Sequence, residues 1–185
     1  MSEASATAAA VVGGVLALAA PAADALPRND HRIVLQQRIG PYRYVAALKA
    51  GRSYAAAVAA FGVPTSRGTL PGTNVCTVRW RAEGLDVRLA SARPVCAPAN
   101  LTRGTWYGAT VSSRRWSTAR GLRVGDTVAR MRSLYPGARF RDLPPDAPTW
   151  SLVRRRQDER ELELLRVTVW DGRVRTIELG AGYVF

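Results

Sequence analysis

The chain has 185 residues, with 27 basic against 14 acidic, one histidine and two cysteines, for a net charge of +13. A single histidine and no CxxC pair leave no ligand set for a zinc site and argue against a Ser-His-Asp triad. The basic excess, almost all of it arginine, favours anionic partners through long-range attraction.

Residues 1–25 read as a signal peptide. Ala8 to Ala20 is an uncharged run of small apolar residues. It has the length of a signal h-region and falls short of the ~20 residues that span a bilayer. Pro21 breaks it. Ala23-Asp24-Ala25 puts small residues where a signal peptidase reads, which predicts cleavage after Ala25. One departure is the n-region, which lacks Lys and Arg and holds Glu3. The competing reading is an Ala-rich terminus or a short buried helix. Export places the protein outside the cytoplasm, secreted or on the cell envelope. No later run is apolar for long enough to be a membrane helix. An oxidising compartment makes Cys76 and Cys96 one intrachain disulfide; the alternative is two buried thiols in the cytosol.

Residues 26–50 read as a tether, punctuated by Pro27, Asn29, Asp30 and Gly40-Pro41. A short strand over Arg32 to Leu35, and Tyr42, Tyr44, Val45 and Leu48, are available to pack on a domain. From Gly51 the pattern turns helical. Ser53 is a plausible N-cap, Tyr54, Val58 and Phe61 share a face, and Gly62 and Pro64 end the helix. Val75 to Arg81 alternates as a strand with Cys76, Val78 and Trp80 on one face. Glu83-Gly84 turns the chain, and Leu85 to Leu89 returns as a hairpin. Ala92 to Arg103 is a Pro-rich loop holding Cys96, and Trp106 to Val111 adds a third strand. Asn100-Leu101-Thr102 matches a glycosylation sequon and is read as a chance match.

The second half runs through similar elements. Leu122, Val124, Val128, Met131 and Leu134 have helical spacing, with Asp126 or Thr127 as cap and Tyr135-Pro136-Gly137 as stop. A Pro-rich loop over 143–148 precedes strands at Trp150–Val153, Leu162–Trp170 and Val174–Leu179. Asp171-Gly172 has the residue types of a type I′ turn. The last strand's apolar set, Val174, Ile177 and Leu179, alternates imperfectly.

Gly51 overlays Gly121, which puts Tyr54 on Val124, Val58 on Val128, Phe61 on Met131 and Trp80 on Trp150. A repeated supersecondary unit is the economical reading, over 51–115 and 116–185. The run from Gly121 to Val128, together with Val167-Thr168-Val169-Trp170-Asp171-Gly172-Arg173-Val174, resembles the outer-membrane lipoprotein SmpA/OmlA (BamE-like) fold. In tandem form it is similar to beta-lactamase inhibitory proteins (BLIP-like). The resemblance implies an α+β fold of two helix-plus-antiparallel-sheet units presenting an open sheet. It implies neither a lipoprotein, since no Cys follows the signal, nor inhibition of a beta-lactamase.

No catalytic constellation assembles. Asp142, Asp146, Asp158, Glu159, Glu161 and Glu163 supply carboxylates in a loop and a charged hairpin, where solvation or pairing with arginine is the plain reading; a hydrolase ranks third. No cofactor or metal is expected. The candidate binding surface is Arg79, Arg81 and Arg88 on the outer side of the first hairpin, Arg114 and Arg115, with Trp106 and Trp116. Trp80, Trp150 and Trp170 are assigned to the core. Arg154-Arg155-Arg156 reads as a solvated strand end with local ion pairs. The leading expectation is a non-catalytic exported module that contacts a protein partner through its sheet. The alternative is arginine-mediated attachment to an anionic cell-wall polymer or lipid head groups. Export disfavours nucleic acid.

Overall fold

A computed structural model describes residues 31–39, 42–49, 51–91, 96–141, 148–157 and 160–180. The expected signal peptide and the carboxylates Asp142, Asp146, Asp158 and Glu159 lie outside them. The chain is mostly antiparallel sheet with few helices, an α+β mix. Its elements are β1 (Arg32–Ile39), β2 (Tyr42–Leu48), α1 (Tyr54–Phe61), β3 (Ser66–Thr69), β4 (Val75–Trp80) and β5 (Leu85–Ala90). There follow α2 (Pro98–Leu101), β6 (Thr105–Val111), β7 (Ser117–Thr118) and α3 (Val128–Leu134). The chain then forms β8 (Arg139–Arg141), β9 (Thr149–Gln157), β10 (Arg160–Trp170) and β11 (Arg173–Gly180). Eight strands form one sheet in the order β3-β4-β5-β6-β11-β10-β9-β8, and β2-β1-β7 form a smaller one.

Local chemistry sets the element ends. The Ser53 hydroxyl accepts the Ala56 N–H at 3.0 Å and caps α1. Gly62, at φ 76, closes it, with its N–H on the Val58 carbonyl. Of the two caps offered for α3, Thr127 takes the role, accepting from the Arg130 N–H. Asp126 instead accepts the Arg123 N–H and shapes the preceding turn. Asp171 and Gly172 have φ 53 and 67, the left-handed pair a type I′ turn needs. The uneven apolar spacing of β11 has a cause in the register. Thr168 pairs with Thr176 and Val169 with Val174, so Arg175 is an extra residue in a bulge. Val174 and Ile177 thereby both reach the core.

Directly opposed residues share a sheet face. One row runs Trp80, Leu85, Val111, Ile177, Val167, Trp150 across six strands. The first five are buried and Trp150 is half-buried, packed on the core. Tyr54, Ala57 and Ala60 of α1, Met131 of α3, and Ile33 and Leu48 belong to the same core. Trp80 also ties α1 to the sheet, its indole N–H donating to the Gly62 carbonyl at 2.8 Å. Cys76 and Cys96 form the disulfide, with Cα atoms 5.6 Å apart. It pins the segment before α2 to β4 and is consistent with an extracytoplasmic location.

Several sequence expectations need correction. Over its described part the 26–50 segment is no free tether. β1 and β2 pair as a hairpin, and β2 contacts β6, β9, β10 and β11. Ile33 and Leu48 are buried, which supplies the apolar energy that holds the hairpin down. The glycine overlay also fails in detail. α3 starts at Val128, so Val128 rather than Val124 stands where Tyr54 stands in α1. Trp80 closes β4, whereas Trp150 lies near the start of β9. Trp170, assigned to the core, is 55% exposed beside its turn.

Candidate functional site

The opposite face of the large sheet carries a polar row: Arg79, Asp86, Thr110, Glu178, Arg166 and Ser151. Every member but Ser151 is half-buried or exposed. This face is therefore wet where its counterpart is dry. Its charges are largely matched within the sheet. Arg79 Nε lies 3.2 Å from Asp86, and Arg166 hydrogen-bonds Glu178 and lies 3.7 Å from Glu163. Burial pulls the Arg166 guanidinium pKa down, but the Glu178 hydrogen bond and the two carboxylate charges outweigh it, so the net shift is upward. Arg141 stands 4.0 Å from Glu163, beyond hydrogen-bond reach.

Four sheltered polar atoms around this face lack a hydrogen-bond partner among the described residues: Arg88 Nε, Ser151 Oγ, Glu163 Oε1 and Thr176 Oγ1. Such atoms are costly in a finished interior. Two large aromatics on strands of this sheet are exposed. Tyr107 is the extra residue of a bulge opposite Arg88 and Leu89 and is 38% exposed; Trp170 sits at the β10–β11 turn.

The predicted surface residues do not form one patch. Arg79 and Arg88 lie on the polar face, Arg79 already paired. Arg81 is in the turn after β4, and Gly84 of that turn packs on Ser113 of the loop carrying Arg114 and Arg115. These three arginines thus share one end of the sheet. Arg115 lies 3.5 Å from Glu83, and Arg114 lies across Gly125. Trp106 and Trp116 leave the candidate surface altogether. Trp106 is buried opposite Leu89, and Trp116 is fully buried. The Trp116 indole N–H donates to the Glu83 carbonyl at 2.7 Å, and its ring meets Phe61 and the edge of His31. His31 itself contacts the Glu83 carboxylate at 2.6 Å.

Sequence reasoning missed Arg166, Glu178, Tyr107 and Trp170. The alternation of β10 and β11 marked the first two as outward-facing. The bulge that exposes Tyr107 has no signal in the sequence.

Of the carboxylates weighed for hydrolysis, Glu161 contacts Arg154 at 2.8 Å and Glu163 the arginines already named. Among the described residues no three His, Cys, Asp or Glu side chains cluster as a metal site would require. No described helix is long and apolar enough to cross a membrane. No protein family, curated protein or solved structure matches this chain.

Proposed function

We propose that this chain is an extracytoplasmic, non-catalytic binding module that contacts a protein partner through the polar face of its eight-stranded sheet. The supporting observation is the group of sheltered polar atoms that lack a hydrogen-bond partner among the described residues, on a face whose charges are largely matched, with Tyr107 and Trp170 exposed on the same sheet. A protein surface supplies donors and acceptors in fixed positions, and exposed aromatics are the common anchors of such contacts. Ion pairing within the face weakens the case for a flat electrostatic attachment there. The order of elements supports two tandem units of the SmpA/BLIP-like kind. Each half holds a helix followed by four strands of the large sheet, and the halves meet where β6 pairs with β11.

One observation favours the second reading, attachment to an anionic polymer or lipid head groups. Arg81 and Arg114 are exposed at one end of the sheet and contact no carboxylate among the described residues. Ionic strength separates the readings, because exposed charges are screened within about 10 Å at 0.1 M salt. Pull-downs from envelope extracts at low and high salt, with the wild type and Trp170→Ala, test the proposal. Retention at high salt that weakens in W170A is expected. Retention at low salt only, indifferent to W170A, would overturn the protein-partner reading.

A further inference from the structure

A cleft of about 450 Å³ lies between β1, the turn after β7, the C-terminal end of α3, and strands β9 and β10. It uses none of the polar-row residues. A volume of this order suits a small ligand. Its apolar lining includes Leu35, which is exposed, together with Ile33, Leu152 and Leu165, which are otherwise buried in the core. Leu35 is 45% exposed, an aliphatic side chain left uncovered at the cleft.

Among the described residues that line it, Arg120, Arg154 and Arg155 stand with one carboxylate, that of Glu161. That carboxylate is taken by Arg154 at 2.8 Å. Arg120 is held differently. Its guanidinium carbon lies 5.1 Å from the centre of the Tyr135 ring, and Nη1 donates to the Leu134 carbonyl at 3.0 Å. Tyr135 is buried, and its backbone N–H donates to the Met131 carbonyl at 2.8 Å. The platform under Arg120 is therefore fixed. Capping the last turn of α3 accounts for one of the five N–H donors of Arg120. No carboxylate among the described residues contacts it.

We propose that this cleft binds a small amphiphile whose anionic head, a carboxylate or phosphate monoester, meets Arg120. Its aliphatic chain lies along Ile33, Leu35, Leu152 and Leu165. The guanidinium fork matches either head, and the cleft wall matches the chain.

Calorimetric titration of the folded chain with decanoate, decyl phosphate, decanol and hexanoate, each below its micelle concentration, tests this. Saturable binding of decanoate or decyl phosphate, tighter than decanol by roughly tenfold or more, is expected from a charge-assisted contact. The tighter of the two identifies the head group. Hexanoate should lose up to about fourfold for each methylene removed. Arg120→Gln should weaken the charged ligands to the level of decanol and leave decanol unchanged. Leu35→Glu, a change at an exposed position, should weaken all of them. Equal binding of decanol and decanoate, no saturable binding by any ligand, or affinity indifferent to both variants in proteins of unaltered melting temperature would overturn the proposal.

Discussion

Breaking the Cys76–Cys96 bridge should loosen the fold measurably without abolishing it. The bridge closes a loop with a sequence separation of 20. Chain-entropy reasoning then assigns it about 3 kcal/mol, mainly by restricting the unfolded chain. For a chain of this size 1 kcal/mol moves the melting temperature by ~2–4 °C, so reduction should lower it by about 6–12 °C. The fold should survive, because the core is carried by the β4-to-β9 apolar row and Leu101 stays buried just beyond the bridge. The assay is a circular-dichroism melt of oxidised and phosphine-reduced protein, with intact mass after alkylation confirming each state. The double variant C76A/C96A should reproduce the shift without reductant. Coincident melts would refute the loop-entropy reasoning, and free thiols in protein recovered from an oxidising compartment would refute the bridge.

Three further outcomes follow from burial and backbone geometry. Trp116→Ala removes a fully buried indole and its hydrogen bond to Glu83, and should cost about 3–5 kcal/mol in urea unfolding; a near-neutral result would return Trp116 to the surface. Gly108→Ala should cost ~1–3 kcal/mol or more, since φ is 155 and the new Cβ meets the Leu179 carbonyl on the neighbouring strand; wild-type stability would show that β6 and β11 are not paired there. Burial pushes the Tyr135 phenol above its ordinary value of 10.0, with the Thr118 hydrogen bond and the Arg120 charge offsetting only part of this. The fold thus holds this proton more tightly than the unfolded chain does. Its stabilisation is full below pH 10.0 and is lost as pH rises from there through the raised folded value. Tyr135→Phe should flatten the alkaline fall in melting temperature, and an unchanged slope would refute the assignment.

The strands were legible wherever one face is buried and the other wet. Cys76, Val78 and Trp80 against Thr77 and Arg79 spell out β4, because period-two burial leaves a period-two sequence. The caps were legible for the same local reason: Ser53 and Thr127 serve only their own helix. Elements whose partners are distant were not. β3 and β8 are short sheet edges with little apolar content, and β7 is held by parallel pairing to β1. β1 and β2 looked like a tether because their stability comes from docking on strands far along the chain.

The tryptophans show why the site was harder to read than the fold. Trp116 follows two arginines in a loop, a setting that suggests exposure, yet it is fully buried. His31, Phe61 and the Glu83 backbone, which bury it, come from three separate parts of the chain. Trp170 ends a strand whose other aliphatic residues are core, yet alternation carries it past Val169 to the wet side and the turn leaves it uncovered. Arg120 carries no motif at all. Tyr135, Leu35 and Leu152, which line the same cleft, lie in different elements, and only folding turns a lone arginine into one end of a cleft that is part polar and part apolar. Composition alone suggested a diffuse basic surface. Folding divides it into arginines already matched, as at Asp86, Glu161 and Glu178, and a few that are oriented and still have donors to offer. The second group is where binding should be sought, because a matched guanidinium must first break its own pair to serve a ligand.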